Sequence, residues 1–201
     1  MAVAAATAVL FTDTTKLTAG VPIQINLQAA LPIVIGAFMG MMNPTSTTIS
    51  LEGKEWWILK SLPVSNTMIL DSKLVFNLLL DLPFFVIIQI LLGLGNRGDL
   101  AKILWSVVLM GAVVTFSCIF SLTMNLKVPK MEWDNEVIVI KQSASAGLSM
   151  LGMLPCIFLG MIAMVTPSLW LVPVRIITCV VLGGTAALLY RYNVRQDLRK
   201  I

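Results

Sequence analysis

Residues 101–125 read AKILWSVVLMGAVVTFSCIFSLTMN. One charge, Lys102, stands near the start, and everything after it is apolar or small and uncharged. As an α-helix rising 1.5 Å per residue, the stretch would be about 37 Å long. A bilayer core is about 30 Å thick and needs roughly 20 apolar residues per helix. Strand alternation is absent, and an open strand edge does not survive in lipid. The stretch therefore predicts a membrane-spanning helix.

Four further spans follow from the same reading. They are 29–44 (AALPIVIGAFMGMMNP, at the short limit), 73–95 (holding LLLDLPFFVIIQILLGLG), 143–165 (SASAGLSMLGMLPCIFLGMIAMV) and 169–190 (LWLVPVRIITCVVLGGTAALLY). Pro32, Pro83, Pro155 and Pro173 fall inside spans, where neighbouring helices can satisfy the carbonyls a kink sets free. The composition agrees. Of 201 residues, 58% are hydrophobic and 12% charged, against about 25% charged in an average soluble domain. A soluble fold of this size would leave too much of that surface in water. The expected fold class is all-α: one polytopic transmembrane helix bundle, 1–201, with about five spanning helices and one short amphipathic cytoplasmic helix. Segment 1–28 reads as an outer segment. Its start, MAVAAATAVLF, is too short to span, lacks the basic region of a signal peptide, and suits the remnant of a preceding helix.

Charge placement orients the chain. Loop 45–72 with Lys73 at its edge carries Lys54, Lys60 and Lys73. Loop 126–142 carries Lys127, Lys130 and Lys141, and tail 191–201 carries Arg191, Arg195, Arg199 and Lys200. These ten are most of the 14 basic residues. The alternate side holds Lys16, Arg97 and Lys102. The positive-inside rule then places both loops and the tail in the cytoplasm and the N-terminus outside. The bacterial inner membrane is the expected location.

Several chemistries are excluded or weak. The chain has no histidine, which removes Ser-His-Asp, Cys-His and histidine-metal sites. Cys118, Cys156 and Cys179 sit in apolar segments without metal spacing. Residues 93–98, GLGNRG, match G-x-G-x-x-G but follow a membrane helix instead of a strand. No phosphate-binding G-x-x-x-x-G-K-[ST] string occurs. Glu132, Asp134 and Glu136 are the only acid cluster and lack the spacing of a lipid-modifying enzyme. No catalytic, cofactor or metal site is expected. Despite a net charge of +4, there is no basic domain to bind nucleic acid.

The informative polar residues lie within spans. Asp81 is deep in the second span, where an ionised carboxylate is normally paired, hydrated or functional. Asn77 lies one turn before it and Gln89 two turns after. The three read either as interhelical hydrogen-bonding residues or as the lining of a solute path. Arg175, the only deep basic residue, would snorkel to the outer interface or pair with Asp81. Gly36 and Gly40 form G-x-x-x-G, which lets helices approach closely, here more simply within the chain than between chains.

Segment 46–65, STTISLEGKEWWILKSLPVS, predicts a short helix over 50–62. Ser50 would cap it, Glu52 favours its first turn, and Pro63 would end it. Leu51, Ile58, Leu59 and Leu62 share one side, with Lys54 and Lys60 elsewhere. Trp56 and Trp57 are interface residues by type. Segment 127–142, KVPKMEWDNEVIVIKQ, is too polar to span and too short to be a domain.

SLEGKEWWILKSLPVS after one span and PKMEWDNEVIVIKQS two spans later resemble the permease subunits of type-2 ATP-binding-cassette exporters, in a less-characterised bacterial branch with longer chains. The resemblance covers about residues 29–200. It implies a half-permease of six helices, of which one would precede residue 12. It also implies a coupling helix at 50–62 and docking of a separate ATPase through Leu51, Lys54, Trp56, Trp57, Ile58 and Lys60. The expected partners are that ATPase, a second permease half or a second copy, and the bilayer. The chain itself would not be an enzyme. The alternative is an ion-coupled carrier or channel using Asp81.

Overall fold

The computed structural model of the protein describes residues 26–61, 63–95, 99–133, 137, 139–140 and 143–196. The expected outer segment before Asn26 lies outside the described residues, as do Leu62, Asp134, Glu136 and Arg97. The described residues form helices α1 (Leu27–Met41), α2 (Trp56–Ser61), α3 (Asn66–Gly95), α4 (Leu100–Lys127), α5 (Ala144–Gly152), α6 (Leu154–Val165) and α7 (Leu171–Arg195), with no strand among them. Short 3-10 turns occupy Pro44–Ser46, Ser50–Glu55 and Ser168–Trp170. The fold is the all-helical membrane bundle the sequence predicts. Four segments are long and apolar enough to cross a bilayer: α3, α4, the α5–α6 pair and α7 with its preceding turn. The fifth expected span, α1, is a shorter apolar helix of 15 residues.

Helix α4 is the hub. α1 runs parallel to it, with Gly36 against Val113 and Gly40 against Ser117. α3 runs antiparallel, so Gln89 meets Ser106 while Asn77 meets Cys118. α7 runs parallel again, pairing Asn193 with Thr123 and Arg175 with Trp105. α5 climbs back along α4 from Ser145 beside Asn125 to Gly152 under Phe120. Pro155 follows the break at Met153, and α6 then leans on α1, where Gly160 meets Val34. The bundle thus has two ends. Asn26, Asp99 and Thr166 lie at one, the Asp99 end. Ser50, Lys127 and Asn193 lie at the other, the Lys127 end. The basic segments of the sequence converge there: Tyr190 donates to Asp71 at 2.7 Å, and the Lys127 ammonium stands 5.2 Å from the Tyr192 ring centre.

In lipid, helices gain nothing by hiding apolar faces from hydrocarbon, so close packing and polar contacts hold them together. The Gly36 and Gly40 pair works inside the chain, as expected. A Cβ on Gly40 would come within 2.5 Å of the Ser117 Cβ and 3.0 Å of the Met153 sulfur. Gly40→Val is expected to abolish monodisperse protein on size exclusion. Gly111→Val, where a Cβ meets nothing within 4 Å, should elute like the parent. Equal profiles would show that α1 does not depend on its approach to α4.

Candidate functional site

Helix α1 stops early, and local chemistry explains why. Asn43 precedes Pro44, which disfavours helical backbone before it, and Asn43 is extended at φ −72°, ψ 119°. Its Oδ1 accepts the Thr45 amide at 2.9 Å. Asn43 sits beside Ser117 and Cys118, its Nδ2 being 3.4 Å from Ser117 Oγ and 3.2 Å from the Cys118 sulfur. On the 1.5 Å rise, Ser117 is only about 5 Å past the middle of α4. From Asn43 to Ser50 the chain descends along α4 without an α-helix. Loop 45–72, as read from sequence, therefore opens with a stretch buried among the helices: Thr45, Ser46, Thr47 and Ser50 are all buried.

Irregular backbone at membrane depth persists only where protein or a water-filled cavity satisfies it. Here Asn125 does most of this. Its Oδ1 accepts from the Ile49 amide at 2.8 Å and the Ser50 amide at 3.2 Å. Its Nδ2 donates to Ser50 Oγ at 2.7 Å and Ser145 Oγ at 3.1 Å. Ser145 Oγ donates in turn to the Ser46 carbonyl at 2.8 Å. Thr45 Oγ1 lies within reach of both Asn43 Oδ1 and the Cys118 carbonyl.

Asp81 faces this break from the middle of α3, whose ends are Asn66 and Gly95. Asn77 Nδ2 donates to Asp81 Oδ2 at 3.1 Å and lies 3.0 Å from the Cys118 sulfur. That sulfur is therefore shared by Asn43, just past the end of α1, and Asn77 on α3. Asp81 is only partly buried, while Asn77 is fully buried with its Oδ1 unpartnered among the described residues. An acid, two amides, a thiol and hydroxyls thus meet where α1 is interrupted. Groups of this kind can hold a proton, water or a polar solute at the centre of a bundle. No cluster of His, Cys, Asp and Glu among the described residues could hold a metal ion.

The other deep polar residues go elsewhere. Gln89 pairs with α4 instead of joining Asp81: Ser106 Oγ donates to its Oε1 at 2.6 Å. The Arg175 pairing with Asp81 is not made, because Arg175 lies at the Asp99 end with its guanidinium 5.9 Å from the Trp105 ring centre. The three cysteines are free, with Cys118 and Cys156 buried. Asn43, Thr45 and Asn125 were not singled out in the sequence. The polar run NPTSTTIS directly after an apolar stretch was the available signal.

Residues 50–61 of the expected helix are helical but broken. Gly53 adopts φ 44°, ψ −121°, in the left-handed half of the map that favours glycine. A Cβ there would also meet the Trp133 Nε1 at 2.8 Å. The break therefore falls within the Ser50–Glu55 3-10 stretch, and α2 follows it. Trp133 Nε1 donates to the Ser50 carbonyl at 2.8 Å, and the Lys130 amide donates to Ser50 Oγ at 2.9 Å. The two segments flagged in the sequence are in this way fastened together around Ser50. Lys73 and Glu52 form an ion pair that ties the platform to α3. The break changes which residues face outward. Trp56 is buried at 4% exposure among Leu70, Leu74 and Leu126, whereas Trp57 is 66% and Ile58 44% exposed. Leu51 is partly buried. The side chains of Lys54, Leu59 and Lys60 lie outside the described residues.

Comparison with protein-family models, with curated proteins and with solved structures finds no match to the chain.

Proposed function

We propose that the chain is one membrane-spanning permease half of an ATP-driven exporter of the ATP-binding-cassette kind. A separate ATPase would dock at the Lys127 end, and a second half, a copy or a longer relative, would complete the path. The observation that carries the reading is the platform around Ser50. It presents Trp57 and Ile58 outward, and the same serine is hydrogen-bonded to Asn125, which holds the far end of the Asn43–Ser50 stretch that follows α1. A load applied at the platform would reach the Asn43–Ser50 break, and through it the Asp81 cluster, with no flexible linker between. Two conformations of that break would expose the cluster alternately, and directed transport needs a solute that binds them unequally.

The platform must then face the cytoplasm of a bacterial cell, as the basic residues at that end imply. On a background lacking the native cysteines, Ser61→Cys and Arg195→Cys should be shielded from an impermeant thiol reagent in intact cells. Both should react once the cells are permeabilised. Leu169→Cys, in the exposed turn before α7, should react in intact cells. Labelling of residue 195 from outside would reject the orientation.

A second reading has its own observation. Interrupted helices next to an intramembrane acid are a recurrent arrangement in ion-coupled carriers, and Asp81 lies beside such a break. Asp81→Asn separates the two, because it preserves shape and hydrogen bonding while removing the charge. In an ATP-driven permease it should leave ATP-dependent transport within a few-fold of the parent. Complete loss of transport in Asp81→Asn, with parental transport that stops when the proton or sodium gradient is collapsed, would favour the carrier.

A further inference from the structure

We propose that the Asp99 end of the bundle carries a binding site for the phosphate group of a membrane lipid, formed between α1, α4 and α7. A cavity of about 80 Å³ opens there, and about 10–15 Å³ on this measure already holds one water. Its polar lining includes Arg175, Lys102, Trp105 and Gln28, and no carboxylate lines it. Its apolar lining is Ala29, Pro32, Leu109 and Leu171. Cations beside apolar side chains in one cavity match a lipid that places its phosphate near the helix ends and its glycerol and chains alongside them.

Arg175 provides the strongest argument. It stands one turn into α7, beside Trp105 on α4, at the depth where arginine and tryptophan meet lipid headgroups. Its Nε is buried with no hydrogen-bond partner among the described residues. A buried donor left unsatisfied is costly, so such groups call for an acceptor. The planar guanidinium presents paired N–H donors that fit phosphate oxygens. Trp105 lies beside the guanidinium, its ring centre 5.9 Å away. The other cation, Lys102, is 3.2 Å from Asp99, with both side chains nearly half exposed. That exposed pair is weak enough to open toward a stronger anion. Asn26 belongs to the scaffold, because its Nδ2 donates to the Thr166 carbonyl at 2.7 Å and closes α1 onto the end of α6.

The test is native mass spectrometry of the full chain in an uncharged detergent, with added phosphatidylglycerol, added diacylglycerol, or inorganic phosphate as competitor. Phosphatidylglycerol should bind with one-site stoichiometry, and diacylglycerol, which lacks the phosphate, at least tenfold more weakly. Arg175→Gln should lower phosphatidylglycerol occupancy at least tenfold. Arg175→Lys should lower it less, since it keeps the charge but loses the fork. Lys102→Gln should lower it several-fold and serves as the reading if Arg175→Gln does not fold. Arg191→Gln, at the opposite end, should change nothing. Displacement of the lipid by millimolar phosphate upholds the site and shows that it takes the anion from solution as well. Failure to displace upholds the site as one that needs the lipid's body. Equal binding of the two lipids, or parental binding by the Arg175 and Lys102 variants, would overturn the proposal.

Discussion

Asn125→Leu is expected to abolish the folded bundle. The substitution removes four hydrogen bonds at once: two from the Ile49 and Ser50 amides, and two to the Ser50 and Ser145 hydroxyls. The two backbone amides stay buried without an acceptor, at about 1–3 kcal/mol each. Ile49 and Ser50 are fully buried, so water does not replace the lost partner. A total of about 2–6 kcal/mol is a large share of the roughly 5–15 kcal/mol that holds a typical domain together. Hydroxyl pairs between membrane helices are worth less, about 0.6 kcal/mol on average, so the stranded amides dominate. The measurement is the fraction of detergent-extracted protein that elutes as a single species. Asn66→Leu is the control, because Asn66 makes one long contact, 3.4 Å to the Gln196 carbonyl. Parental elution of Asn125→Leu would mean that the Asn43–Ser50 stretch is not held inside the bundle.

Trp57→Ala combined with Ile58→Ala is expected to weaken ATPase association more than tenfold while leaving the chain inserted and monodisperse. Both side chains are exposed on α2, so their removal leaves no cavity. Interface energy concentrates in a few anchors, tryptophan foremost, often about 2 kcal/mol or more each, and about 1.4 kcal/mol is one decade of affinity. Trp56→Ala is expected to act differently. Trp56 is buried against α3 and α4, and truncating a buried tryptophan costs about 3–5 kcal/mol, so it should lower the folded yield. Association measured per folded molecule separates the two effects.

The spans were legible because apolar length is a signal that needs no partner: 101–125 became Leu100–Lys127, and 169–190 became the core of Leu171–Arg195. The basic segments reached a common end for the same reason, since short turns between long helices leave no other arrangement. Asn77 with Asp81 was legible from helical spacing alone. What sequence did not carry was the third dimension of the polar groups. Asn125 sits at the end of its predicted span, where a polar residue marks an exit to water. Nothing local shows that Ser46, Ser50 and Ser145 from two other segments converge on it. The outward face of 50–62 was read from an unbroken 3.6-residue period. One glycine with positive φ, braced by a tryptophan some eighty residues away, rotates Trp56 inward and Trp57 outward. That distinction lives in a tertiary contact. Arg175 had two open readings in the sequence, snorkelling to the outer interface or pairing with Asp81, and chain direction rules out the pairing. α7 starts at the end where α4 starts, which puts Arg175 by Trp105 and far from Asp81.

The most direct test of the account is to affinity-purify the tagged full chain from its own membranes in mild detergent and identify what accompanies it. The account predicts a P-loop ATPase in stoichiometric amount, hydrolysing ATP, and lost with Trp57→Ala and Ile58→Ala but kept with Arg191→Gln. Recovery of the folded chain with no ATPase, or with one that the platform variants retain in full, would contradict it.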